Sequence, residues 1–192
     1  MKTASLSGSL RGGVGKKDAA TLRKGDRVPG VLYGGTEQIH FHVSKLDIER
    51  LVINPDVFRI NLEIDGKSYD TIIQDIQFHP VTDHIVHFDA LLLDEKKPVR
   101  IELPVRTKGT SPGVMNGGRL ELLYRRVPVR GLPSKLPESV TVDISSLEIG
   151  SNLRVRDLSV EGCELLLSDS TLIASIKRTR AAMAAAAAAA QG

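Results

Sequence analysis

The first 93 residues repeat one pattern: short runs in which apolar and polar side chains alternate, each closed by Gly, Pro, Asn or Asp. A period of two is the signature of a strand with one buried and one solvated face. Ile60, Leu62 and Ile64 alternate with Asn61 and Glu63, turn at Asp65-Gly66, and return from Tyr69 to Ile76 as a hairpin. The same reading gives strands over Thr3–Leu10, Val28–Tyr33, Ile39–Val43 and Ile85–Leu93, six in all. Two short helices interrupt them. One covers Ala19–Lys24, with Asp18 placed to cap it and Gly25 to stop it. The other starts at Ser44, with Asp47 as a capping-box-like partner and Leu46, Leu51 and Val52 as its apolar stripe, and ends at Asn54-Pro55. Six short strands bury their apolar faces best as a small antiparallel barrel, because closure removes unpaired edges.

The charged, proline-ended run Asp94-Glu95-Lys96-Lys97-Pro98 breaks the pattern and marks a domain boundary. Beyond it, Val99–Thr107, Arg119–Leu123, Arg125–Arg130, Val140–Ile144 and Leu172–Lys177 read as strands, separated by Gly- and Pro-rich stretches at 108–118 and 131–137. The expected organisation is therefore mainly β with short helices: a six-stranded barrel over 1–93, a second β-rich domain over 94–180, and an Ala-rich tail over 181–192. The run Ala184–Ala190 in that tail is too short to span a bilayer, and the N-terminus lacks the apolar centre of a signal peptide. Cys163 is the only cysteine, so no intramolecular disulfide forms, and it reads as a small hydrophobe in a cytosolic protein.

Charge is polarised along the first domain. Residues 1–35 carry seven basic and two acidic side chains, whereas residues 36–93 carry four basic and ten acidic ones. A phosphate-attracting surface beside a phosphate-repelling one would orient the domain on a polyanion. Aromatic residues make up only 4% of the chain and there is no Trp, which argues against reading single strands by stacking many bases.

Enzyme chemistry finds little purchase. Gly13-Val14-Gly15-Lys16-Lys17 resembles a phosphate loop, but Leu10 stands where the nucleotide-binding pattern needs Gly, no Ser or Thr follows Gly15-Lys16, and Asp18 does not replace that metal ligand. What that loop offers is backbone N–H groups beside two ammonium groups, a suitable cradle for RNA phosphates. There is no Gly-x-Ser-x-Gly elbow, and Cys163 has no basic partner in its neighbourhood. Of the five histidines, His40 and His42 share a strand face and His84 and His87 do not, so no fixed set of metal ligands emerges. Neither a metal, nor a cofactor, nor a small-molecule substrate is expected.

Several segments in one order resemble a known family. They are Gly15-Lys16-Lys17-Asp18-Ala19 before Leu22-Arg23, Val28-Pro29-Gly30-Val31-Leu32-Tyr33-Gly34-Gly35, and Gln74-Asp75-Ile76-Gln77-Phe78-His79-Pro80 with His87-Phe88-Asp89. Leu103-Pro104-Val105, Gly113-Val114, Leu132-Pro133 and Val142–Gly150 continue the likeness through the second half. Over about residues 1–178 the chain resembles the bacterial large-subunit ribosomal proteins numbered twenty-five, the general-stress Ctc type, in their long form. The resemblance implies a cytoplasmic protein of the ribosome, monomeric off it, whose barrel binds 5S ribosomal RNA in the central protuberance and whose neighbours are other large-subunit proteins.

Carried over by position, the family's RNA-contacting pattern falls on Arg11, Gly15, Lys16, Arg23, Tyr33, Gln74, His87 and Asp89, with Lys17 as a helper. The resemblance implies phosphate contacts for Arg11, Lys16 and Arg23, and a sugar or phosphate contact for the Tyr33 hydroxyl. Gln74 would read a base edge or a 2′-hydroxyl, and Asp89 would accept from a base or fix His87. The basic residues Arg125, Arg126, Arg130, Arg154 and Arg156 of the second half read as a solvated face. An RNA-binding stress protein off the ribosome, or a protein-binding scaffold, would fit the same residues less fully.

The chain departs from many relatives at Ala20-Thr21, which replace an Arg pair, and at Phe78, which replaces an Arg. The plot of log binding constant against log salt is therefore expected to be flatter than for a relative keeping those arginines, by about one unit of slope per lost phosphate contact. RNA titrations of both proteins over a salt series check it.

Overall fold

The structure is a computed structural model that describes residues 1–158, 160 and 162–180. Two compact units divide it: Met1–Val99 with Leu132–Ser134, and Arg100–Gly131 with the chain from Lys135 onward. The Ala-rich tail lies outside the described residues.

The first unit runs β1 (Lys2–Leu10), α1 (Lys16–Lys24), β2 (Arg27–Tyr33), β3 (Ile39–Ser44), α2 (Lys45–Ile53), β4 (Phe58–Ile64), β5 (Lys67–Phe78) and β6 (Ile85–Leu92). The strands form a closed barrel in the order β1-β3-β2-β6-β5-β4. Alternation builds its interior: Leu6, Val28, Leu32, Phe41, Val43, Ile60, Leu62, Ile64, Ile85, Phe88 and Ala90 are all buried in one cluster. Phe41 and Phe88 meet edge to face, with ring centroids 5.4 Å apart, the arrangement that ring quadrupoles favour.

The barrel is not antiparallel throughout. β1 pairs with β4, and β2 with β6, in parallel, while the other four seams are antiparallel. Alternation reports which face of a strand is buried and is blind to the direction of its neighbour. Direction comes from connectivity: after β3 the chain passes through α2, and β4 then runs alongside β1 in the same sense. Ile48 of α2 is fully buried in the barrel cluster, with Leu51 and Val52 packed against it. Leu46, expected in that stripe, is 63% exposed, and Ile48 takes its place. Neither Ser44 nor Asp47 makes the anticipated capping box, and Asp47 lies 4.0 Å from Arg50 instead.

α1 begins three residues earlier than its alanines suggest. Gly15 occupies its N-cap position at φ 142°, a conformation open to glycine, so Asp18 sits inside the first turn rather than capping it. Two bulges shape the β5–β6 seam. Gln74 is the extra residue between the pairs Ile73–Ala90 and Asp75–Asp89, and Val86 is the extra residue between His87–Gln77 and Ile85–Phe78.

The second unit contains β7 (Val99–Lys108), α3 (Pro112–Met115), β8 (Arg119–Leu122), β9 (Arg126–Gly131), β10 (Val140–Asp143), β11 (Asn152–Arg154), β12 (Cys163–Leu165) and β13 (Leu172–Lys177). One sheet has the order β10-β7-β9-β12 and a smaller one the order β11-β13-β8. α3, β11 and β12 were not anticipated: β11 and β12 have three residues each, too few to display a period, and α3 is a single turn. The start of α3 is set by Pro112 and by buried Ser111, whose hydroxyl accepts the Gly113 N–H at 3.1 Å. Cys163 is half-buried on β12, and burial pushes its thiol pKa up.

A Cβ at Gly30 would lie 2.9 Å from the Phe88 ring and 3.0 Å from Phe41, both rings held in the core. Gly30→Ala is therefore expected to destabilise the protein by about 1–3 kcal/mol. A denaturant melt of the full chain measures it.

Candidate nucleic-acid interface

β3, β2, β6 and β5 are consecutive in the barrel, and their outward side chains form one wall. One row of it reads His40, Val31, Asp89, Asp75 across four strands, and Gln77 stands opposite His87 nearby. None of these faces the interior, because their strand neighbours Leu32, Phe41, Phe88 and Ala90 do.

His87 and Asp89, two apart on β6, share a face, and Nδ1 of His87 lies 3.1 Å from Oδ1 of Asp89. Burial lowers the His87 pKa most; Asp89 opposes the shift, while Arg23 and Arg11 reinforce it. A neutral imidazole whose Nδ1–H donates to Asp89 keeps Nε2 as an acceptor. Tyr33 is half-buried, and burial together with Asp89 and Asp75 raises its pKa, so the phenol stays a donor. Gln74 is exposed at its bulge and has no partner in the ladder, leaving its amide free to face a ligand.

The cations come from α1 and from Arg11, just beyond β1. Arg23 donates Nε–H to the Val86 carbonyl at 3.0 Å, so the second bulge anchors it one residue from His87. Lys16 and Lys17 are exposed in the first turn of α1 and make no ion pair among the described residues. Arg11 behaves differently. Its Nε and Nη2 both donate to Oδ2 of Asp18, at 3.0 and 2.6 Å, and its side chain is only 6% exposed. Without RNA, its guanidinium is held by this carboxylate.

Five residues of this neighbourhood escaped the sequence reading of the site: Asp18, Arg27, His40, His42 and Asp75. Arg27 donates Nε–H to Nδ1 of His42 at 3.0 Å, and burial, then Arg27, lowers the His42 pKa. Asp75 stands directly opposite Asp89, a placement set by strand register and by the Gln74 bulge, which no residue pattern announces. The His87–Asp89 contact was foreseeable from the spacing of two. Among the described residues no group of three or more His, Cys, Asp or Glu is placed to hold a metal ion, and no helix is long and apolar enough to cross a membrane.

Comparison with known proteins covers both halves. The Ribosomal L25p family profile matches residues 6–89, and that of the ribosomal protein TL5 C-terminal domain matches residues 98–180. The chain is 42% identical over 188 residues to the large ribosomal subunit protein bL25 of Porphyromonas gingivalis, covering 97% of this chain and 98% of that protein. It is 41% identical to that of Phocaeicola vulgatus, with coverages of 97% and 98%. For that of Bacteroides thetaiotaomicron the identity is 44%, with coverages of 88% and 86%.

The neutral state of His87 carries a pH signature. Its folded pKa lies below the ordinary 6.5, so the unfolded chain binds the proton more tightly. The contribution to stability is complete above 6.5 and is lost as pH falls through the lower folded value. An NMR titration of the His87 ring is expected to give a midpoint below 6.5, and His87→Gln to weaken the loss of stability over that range.

Proposed function

The chain belongs to the ribosomal L25p family of large-subunit ribosomal proteins, in a form with a TL5-type C-terminal domain, and from this we propose that its barrel binds 5S ribosomal RNA on the bacterial ribosome. The observation that carries the reading is the composition of one wall. Arg23, Tyr33, His87 and Asp89 surround the same stretch of β6, Gln74 stands at the adjoining bulge, and α1 carries Lys16 and Lys17 beside it.

Chemically, this wall suits a folded duplex. The major groove of A-form RNA is too deep and narrow for side chains, whereas its minor groove presents 2′-hydroxyls and base edges. The Tyr33 donor, the His87 acceptor and the donor–acceptor amide of Gln74 match such edges. Lys16, Lys17 and the free N–H groups of Arg23 match the flanking phosphates. Residues 1–93 would then be the RNA-binding domain, with other large-subunit proteins as neighbours of the chain. The function is architectural, exercised in the cytoplasm, and needs neither cofactor nor substrate.

Full-length protein titrated against 5S RNA should bind with a marked salt dependence. A variant with Lys16→Ala and Arg23→Ala should lose about 3 kcal/mol, the scale of two charge-assisted contacts. Equal binding by both proteins overturns the assignment. Release from large subunits in a density gradient at moderate salt would favour action off the ribosome.

A further inference from the structure

α1 is attached to the barrel by unusual means. None of its nine residues is buried; Asp18, Ala19 and Leu22 are half-covered and the rest are exposed. A helix this short is not stable alone in water, and this one offers no fully buried apolar side chain, only half-covered Ala19 and Leu22. Two polar tethers hold it. Near its C-terminal end Arg23 binds the Val86 carbonyl, and in its first turn Asp18 takes two N–H groups of Arg11, the residue just beyond β1. The backbone N–H of Arg11 in turn donates to the His40 carbonyl on β3, at 3.0 Å, which fixes the root of that arginine to the barrel.

Asp18 is also out of place electrostatically. It stands one residue from Lys17 on a surface read here as facing phosphates, where a carboxylate repels the ligand. A long-range cost of that kind is tolerated when the group does something local.

We propose that Asp18 is a positioning residue for the RNA-binding surface: with Arg11 it brackets the first turn of α1 to the barrel, and so sets Gly15, Lys16 and Lys17 in place. Arg11 serves this bracket rather than a phosphate. The half-buried pair keeps its geometry because both nitrogens of the fork converge on one oxygen, and losing either partner leaves the other charge poorly compensated. The inference rests on the 5S RNA reading for its functional consequence, but the bracket can be examined without RNA.

The sign of the effect makes the test sharp. Asp18→Ala removes one negative charge from a polyanion-binding surface, so simple electrostatics would tighten binding. The bracket predicts the reverse: RNA affinity of the full chain falls about tenfold, with an unchanged slope against salt. Amide hydrogens of α1 in the free protein should exchange faster, while those of β2 and β6 keep their protection. Asp18→Asn, which retains an oxygen acceptor, should recover part of both losses. Arg11→Met should weaken binding about as much as Asp18→Ala, and the double variant no further. Tighter or equal RNA binding by Asp18→Ala overturns the proposal, as does unaltered exchange in α1. A flattening of the salt slope by about one unit in Arg11→Met would return Arg11 to the phosphates. If the unaltered protein shows no salt-dependent binding to 5S RNA, the functional reading fails, and the exchange comparison still decides the bracket.

Discussion

Closure of the six-stranded sheet is the constraint from which the rest of the first unit follows. A barrel this small spends one face of every strand on its interior, where Phe41 and Phe88 meet against Gly30 and Ile48 of α2 joins the same cluster. No strand edge is left over for pairing with another molecule. Recognition is thereby confined to outward side chains and to places where the ladder is interrupted. The β5–β6 seam has two such interruptions, and each bears on the proposed interface: one carries Gln74, and the other provides the carbonyl that holds Arg23.

The wall is chemically mixed rather than uniformly basic. Asp75 and Asp89 face each other across the ladder; burial, then Asp89 and Asp75, raises the Tyr33 pKa, and burial, reinforced by Arg23 and Arg11 and opposed by Asp89, lowers that of His87. A plain cationic patch binds any polyanion and reads none. Carboxylates at the centre penalise phosphates there and leave room for hydrogen-bond donors, while the cations of α1 lie to the side. That division of labour is what shape-selective binding to a structured RNA requires.

Much of this was visible in the residues. Alternation located the six barrel strands, the hairpin turn at Asp65-Gly66 emerged as expected, and the contact with His87 that the family resemblance allowed for Asp89 is formed. What stayed hidden depends on partners distant in sequence. Ile60, Leu62 and Ile64 declare a buried face but not that their strand runs parallel to β1. Asp18 has the residue type of a helix cap, and only the folded chain shows Arg11 waiting for it. Leu46 and Ile48 are both apolar and two apart, and the docking of α2, not the pattern, decides which enters the core. β11 and β12 of the second unit, three residues each, are too short to be periodic at all.

The parallel seam between β1 and β4 bears on how the polypeptide is made. Lys2 is matched to Phe58 and Gly8 to Ile64, so most of the N-terminal strand waits for residues more than fifty positions downstream before its ladder is complete. β2 likewise waits for β6. Synthesis proceeds from the N-terminus at roughly 5–20 residues per second, and distant pairings carry a loop-closure cost before they yield any reward. The β1–β4 ladder therefore cannot be complete until Ile64 has been added to the chain, nor the β2–β6 ladder until Leu91 has, so barrel closure belongs to the end of this domain's synthesis.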